Sequence, residues 1–310
     1  MTITDAKARV RVDLAAPSAT VDGEIVEAPD VRQLESDLGR RLYERLHVGW
    51  PSGRNSLARI DRDLGAEAMI ASRLPSTPIE IDVSDIRTDG DRITGSVMGA
   101  RVLLDRMPAN LDSPTLTTSD SWPALSPGFY MVFGPQRPRS GGRKALWRVY
   151  LAAADLDGAL DDFALAVGHL RSNATRWQAK IASTPAVYPR TDAVTVYLDH
   201  TDLHHARVLA ELVGSRPSRW HRTSAFVTEL APGVGFAQEP ADPDPTRRGL
   251  SYGQHRASIV ARAAISGDDD LDAALAASGV DPHQYWRNSV PAPPTLLAAS
   301  AAGGSGQLVR

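Results

Sequence analysis

Lys180 lies in a strand-like run, Trp177-Gln-Ala-Lys-Ile181, of a chain that otherwise relies on arginine for positive charge. The other lysines are Lys7 and Lys144, and the rest of the 34 basic residues are arginine. Arginine keeps its proton in proteins, whereas a crowded or partly buried lysine can lose it. A lysine here is therefore a candidate general base, set against the plainer reading of a solvated side chain on a half-exposed sheet. Two further runs share the design. Trp147, Val149 and Leu151 alternate with Arg148 and Tyr150, while Val194, Val196 and Leu198 alternate with Thr195 and Tyr197. A period of two with one apolar face predicts half-buried strands. If the three are neighbours in one sheet, Arg148, Tyr150, Gln178, Lys180, Thr195 and Tyr197 converge on one face.

Pro185 and Pro189 stiffen the link between the second and third runs and bring Arg190 to the same edge. A helix opening at Ser251-Tyr-Gly-Gln-His255-Arg256 is placed to close the site and to offer its first backbone N–H groups. Guanidinium groups on faces that carry no acidic residue suit a dianion, and arginine binds phosphate bidentately. Crowding by these cations also favours the neutral amine that a base requires. The chemistry suggested is removal of a proton α to a carbonyl with departure of a β-phosphate. Tyr150 or His255 would protonate the leaving group or polarise the carbonyl.

Several elements must position these groups. Residues 1–30 show no clear period and read as a mobile tail, and the Pro/Ala/Gly/Ser segment 291–310 reads as a disordered one. Between them the chain divides into an N-terminal helical and hairpin region, 31–125, suited to packing or partner docking, and a catalytic region, 126–290. Val31, Leu34, Leu38, Leu42 and Leu46 predict an amphipathic helix ending near Gly49-Trp50-Pro51. A weaker helix covers 56–72, a hairpin 78–105, and a loop 110–126. Phe129–Phe133 reads as a strand. The basic GPQRPRSGGRK segment after it is a surface loop or a lid over an anionic substrate. Asp155 caps a helix buried through Leu160, Phe163, Val167 and Leu170. Thr201 or Asp202 caps the next, whose adjacent His204 and His205 make a poor metal site and read as solvated. Ala225–Glu239 forms a hairpin about Pro232-Gly233, and a last helix spans 270–278. The hairpins make the fold α+β, mainly antiparallel with flanking helices.

With a formal net charge of −3, 42% hydrophobic and 23% charged residues, the chain is expected to be a globular protein that binds neither nucleic acid nor membrane surfaces generally. The absence of cysteine excludes disulfides, thiol catalysis and cysteine-ligated zinc, and suits a cytoplasmic location. No secretion signal or membrane span is expected, and no paired carboxylates or spaced histidines suggest a metal-dependent phosphatase.

In order, WRVY, WQAKI, YPRTDAVTVY, GVGFAQEP and SYGQHR resemble the HopA-type bacterial effector family. The likeness is closest to members serving as lyase subunits in class V lanthipeptide and thioamitide biosynthesis. It covers roughly 30–290, with 147–262 the specific part. It implies a phosphothreonine-lyase-like core, distantly similar to phosphothreonine lyases of bacterial pathogens. It also implies a phosphorylated precursor peptide as substrate, a cognate Ser/Thr kinase subunit as partner, and no cofactor. Lys180 would then be the base and Arg190 a phosphate ligand. Arg148 stands at the first position of those lyases' Lys-x-His strand and Tyr150 at its His position. That departure leaves Tyr150, Tyr197 and His255 all candidates for the acid. Arg256 would be the second phosphate ligand.

Overall fold

The computed structural model describes residues 10–54, 61–97, 100–136, 138, 146–216, 220–247, 249–267 and 270–289. The segment expected as a tail is instead an antiparallel meander of β1 (Val10–Asp13), β2 (Ser18–Val21) and β3 (Glu24–Glu27). Asp22 and Gly23 turn the β2–β3 hairpin at φ 51° and 84°, the left-handed backbone that Asp-Gly tolerates. Residues 1–9 and 290–310 lie outside the described residues.

The expected helix is α1 (Val31–Leu42), capped by Asp30, which passes directly into a π-helix, Tyr43–Val48, that stops at Gly49 with φ 84°. After α2 (Leu64–Arg73) come β4 (Pro78–Asp82), β5 (Ser84–Asp89), β6 (Arg92–Val97) and β7 (Ala100–Leu104). The Asp-Gly turn joins β5 to β6 as expected, but β4 pairs elsewhere, with β8 (Thr115–Ser119). That strand and β9 (Ser121–Ser126) replace the loop expected over 110–126. Alternating exposure along β8 shows the reason: one side of a Thr-rich strand still packs against Ile79 and Ile81.

The remaining elements are β10 (Phe129–Phe133), β11 (Leu146–Ala153), α3 (Leu156–Asn173), β12 (Trp177–Ala182), β13 (Arg190–Asp199), α4 (His205–Gly214), β14 (Thr228–Ala231), β15 (Val234–Gln238), α5 (Tyr252–Ile265) and α6 (Leu271–Ala277). Seven strands form one antiparallel sheet in the order β14-β15-β11-β13-β12-β10-β9. The three runs singled out in the sequence are thus its consecutive central strands. On the apolar face, Trp147, Val149, Val194 and Val196 are buried, and α3 packs across β11, β12 and β13. Asp155 caps α3, as its sequence implies. The π-helix packs on β13 and on α5 from the other side.

Two helix starts differ from expectation. No side chain caps α4; Asp202 instead accepts the Arg176 backbone N–H at 2.7 Å. His205 is buried rather than solvated, 3.0 Å from His169 and 3.2 Å from the Asn173 carbonyl oxygen. The basic segment after β10 falls largely on residues outside those described.

Candidate active site

Register fixes the polar face. Tyr150 and Lys180 flank Thr195 in one row across the sheet, and Arg148 and Gln178 flank Tyr197 in the next. The six side chains expected to share a face therefore do. Lys180 is half-buried; Arg148, Tyr150, Thr195 and Tyr197 are buried.

Arg190 joins them by a less regular route. Strict alternation would put Arg190 and Asp192 with Val194 on the apolar face. Pairing of β13 with β11 slips between Leu151 and Ala153, and this irregularity releases the start of the strand from the alternation. The Arg190 guanidinium carbon lies 5.3 Å from the Phe129 ring centre, and Lys180 Nζ lies 4.0 Å from the same centre. One ring thus meets both an amine and a guanidinium. Arg148 stacks on Tyr197, 4.9 Å from its ring centre, and its Nη1 is 3.4 Å from the Tyr150 hydroxyl.

The expectation of guanidiniums without acidic partners is corrected by two ion pairs. Arg190 Nε and Nη2 donate to Asp192 Oδ1 and Oδ2 at 2.8 and 3.0 Å, and Arg148 Nε donates to Glu239. A guanidinium this far from water needs a counter-charge, and these carboxylates supply it. Burial opposes ionisation of Asp192, yet Arg190, His47 and Lys180 outweigh it and hold the carboxyl at about 2. Burial pushes the Tyr150 hydroxyl well above its ordinary range, so it stays a protonated donor.

The sequence pointed to His255 and Arg256 as well. Both are buried, but neither meets Lys180. His255 Nε2 is 2.7 Å from Asp242 Oδ2, and Arg256 Nη1 is 2.7 Å from His255 Nδ1. With a guanidinium donating to Nδ1, the ring proton sits on Nε2, so His255 has no nitrogen left for substrate. Arg256 Nε donates to the Tyr285 carbonyl at 2.8 Å and its guanidinium covers the Tyr252 ring at 4.7 Å. The helix start is capped by its own side chains. Ser251 Oγ accepts the Gln254 N–H, and Gln254 Oε1 accepts the Ser251 N–H at 2.9 Å, a reciprocal cap that occupies two of the N–H groups at the helix start.

The site also contains a histidine that the sequence analysis passed over. His47, on the π-helix, meets the Tyr150 ring edge-on at 5.2 Å, and its Nε2 is 3.6 Å from Asp192 Oδ2. Burial lowers it to about 4; Asp192 pulls the other way, and Arg148, Arg190 and Lys180 add to the depression. One sequence signal was available. Gly253 is a poor helix former in the first turn of α5, and a Cβ there would come within 2.2 Å of the His47 ring. A single-turn π-helix beside polar side chains is itself a feature frequent at functional sites.

An antiparallel sheet carrying a polar cluster of lysine, arginine, tyrosine and histidine, under a π-helix and α5, defines an α+β protein with a largely buried, cation-rich polar face. The chain belongs to the HopA1 effector protein family, whose sequence profile matches residues 121–287. Two solved structures resemble it. The effector protein from Pseudomonas syringae pv. tomato strain DC3000 is 19% identical with a TM-score of 0.42, covering 53% of this chain and 66% of its own. The effector protein from Pseudomonas syringae pv. syringae strain 61 is 21% identical with a TM-score of 0.39, covering 52% and 62%. The likeness thus spans less than two thirds of either protein. No curated protein matches the chain. Among the described residues no helix is long and apolar enough to cross a membrane.

Proposed function

We propose that this protein is a lyase that eliminates phosphate from phosphoserine and phosphothreonine of a ribosomally made precursor peptide. The products would be dehydroalanine and dehydrobutyrine, as in lanthipeptide-type biosynthesis. The observation that carries this is the pairing of the Lys180 amine and the Arg190 guanidinium over the Phe129 ring. It brings to one ring a primary amine capable of base chemistry and a fork of the kind that binds phosphate.

In the step, Lys180 Nζ takes the Cα proton. The C–H electron pair forms the Cα=Cβ bond while the Cβ–O bond breaks, and phosphate leaves with the electron pair of that Cβ–O bond. Charge growing on the phosphate oxygens is met by Arg190, and the Tyr150 O–H is the donor for the carbonyl or the leaving oxygen. No cofactor enters this balance. Arg148, stacked on Tyr197 and joined to Glu239, holds Tyr150 in place and adds positive potential. His255 and Arg256 keep a supporting role, since both His255 nitrogens are spent on Asp242 and Arg256, and Arg256 Nε is spent on the Tyr285 carbonyl.

A lyase of this kind needs a phosphorylated precursor peptide and a Ser/Thr kinase to supply it, in a cytoplasmic setting. The test is incubation of purified protein with a phosphothreonine peptide, followed by mass spectrometry. Loss of the whole phosphoric acid, leaving an alkene, is expected. A free hydroxyl product would contradict elimination. Peptide bound but unchanged would favour the second possibility, a non-catalytic phosphopeptide-binding partner of a kinase, for which the same arginines would serve.

A further inference from the structure

Arg190 is already occupied by a carboxylate, and this bears on how a phosphate would enter. Asp192 fills the guanidinium fork through two parallel hydrogen bonds, the geometry a phosphate dianion would use. The two anions therefore compete for one fork. Behind Asp192 stands His47, with Nε2 3.6 Å from the carboxylate. Ser224 Oγ accepts the Phe226 backbone N–H at 3.1 Å and lies 2.8 Å from His47 Nδ1, where its hydroxyl can donate. A carboxylate only accepts, so the ring proton that faces Asp192 is the one on Nε2.

Charged and titratable groups face this ring from every element around it. Tyr43 lies 5.6 Å away on the π-helix itself, Tyr252 of α5 is 5.9 Å away, and Tyr150 of β11 is 5.2 Å away. Arg148, Lys180 and Arg190 act on it as cations and Asp192 as the one opposing anion.

Resting on the reading of Arg190 and Lys180 as phosphate-facing cations, we propose that His47 is a positioning residue: it takes up a proton when a tetrahedral dianion displaces Asp192 from Arg190, and holds the freed carboxylate as an imidazolium–carboxylate pair. Two changes drive the uptake. A dianion between Arg190 and Lys180 cancels two of the cations that keep the ring neutral. It also removes from Asp192 its bidentate partner, so that carboxylate turns its full charge on Nε2. The fork is then filled in the free protein, and no buried carboxylate is left without a cation in the complex.

The sign follows from linkage. A group that gains a proton on binding makes binding tighter as pH falls through its value in the complex. The gain ends below its value in the free protein, about 4.

Sulfate is the probe, because it remains a dianion across the range and brings no titration of its own. Its binding to the full chain is measured calorimetrically between about pH 8 and about pH 5, in buffers of different ionisation enthalpy. Affinity is expected to rise by up to about tenfold per pH unit within part of that window, with about one proton taken up per sulfate. His47→Gln is expected to bind sulfate without proton uptake, and Asp192→Asn to bind it several-fold more tightly near the upper pH. Should His47→Gln fail to fold, histidine Cε1–H resonances of the unaltered protein serve instead. One of them moves to the imidazolium position when sulfate is added. Sulfate bound through Arg190 with no proton uptake and no shifted resonance overturns this inference alone. No sulfate binding, or binding indifferent to Arg190→Met, overturns the site assignment and the inference together.

Discussion

Two clusters in this molecule are built from the same three residue types. One joins His47, Asp192 and Arg190; the other joins His255, Asp242 and Arg247, with Arg256 added. Both histidines are held neutral at about 4, in each case first by burial and then by nearby arginines. They differ in closure. Asp242 is held by four hydrogen bonds: Arg247 Nε at 2.6 Å and Nη2 at 3.2 Å, His255 Nε2 at 2.7 Å and the Asp244 N–H at 2.7 Å. The His47–Asp192 contact is 3.6 Å, and the half-buried amine of Lys180 adjoins it through Phe129. A closed network spends its charge on tying the Pro245 loop and α5 to the segment after α6. The looser one, with an amine beside it, retains capacity for a ligand. The presence of buried His, Asp and Arg is thus not enough to mark chemistry; what matters is whether a group that can act as a base, such as the Lys180 amine, stands beside them.

Replacements should separate the two clusters, and the largest effect is expected at Arg190. Arg190→Met leaves Asp192 buried without its cation, costing about 3–5 kcal/mol in urea unfolding and abolishing phosphopeptide binding. Adding Asp192→Leu should recover most of the stability and none of the binding. Equal recovery of both would mean that Arg190 is only structural.

At the closed cluster, Asp242→Asn is expected to cost about 1–3 kcal/mol and leave turnover per folded molecule unchanged. A selective loss of turnover would return His255 to the candidate acids.

Stability as a function of pH gives a third comparison. His47 and His255 are neutral in the fold at pH values where the unfolded chain, with histidine near about 6.5, binds protons. The unfolded state therefore holds more protons, and stability falls as pH drops from about 6.5 to about 4, then levels. His255→Gln should flatten part of that fall. An unchanged slope would show that His255 does not contribute to it.

The smallest effect on stability is expected at Tyr150. Tyr150→Phe removes a hydroxyl 3.4 Å from Arg148 Nη1, a weak contact whose loss should cost about 1 kcal/mol or less. Elimination should nonetheless slow by about 10²-fold, if the O–H is the donor at the reacting end. Retained turnover in the Tyr150→Phe protein would shift that role to His47 or Tyr197.

Much of the sheet was legible because its two faces differ in kind. All ten residues of β13 are buried, so hydrophobicity alone would have hidden its polar face. Thr195 and Tyr197 kept a period of two because the site they share with Arg148 and Lys180 is itself polar. Asp192 was hidden by the slip in β13, which no local pattern records, and His47 by distance along the chain. The β1–β3 meander was legible in principle. Asp22-Gly23 between Val21 and Ile25 is a hairpin dipeptide, overlooked because each strand has only four residues. The cap of α5 was visible as Ser251 and Gln254, and it takes up the Ser251 and Gln254 N–H groups.

The most direct measurement compares Lys180→Arg with the unaltered chain on one phosphothreonine peptide, reading both peptide affinity and dehydrobutyrine formation. Arginine keeps the charge over Phe129 but cannot act as the base. Affinity is therefore expected within a few-fold, with elimination reduced by about 10³-fold or more. Dehydrobutyrine formed at an undiminished rate by the Lys180→Arg protein would contradict the assignment of the base.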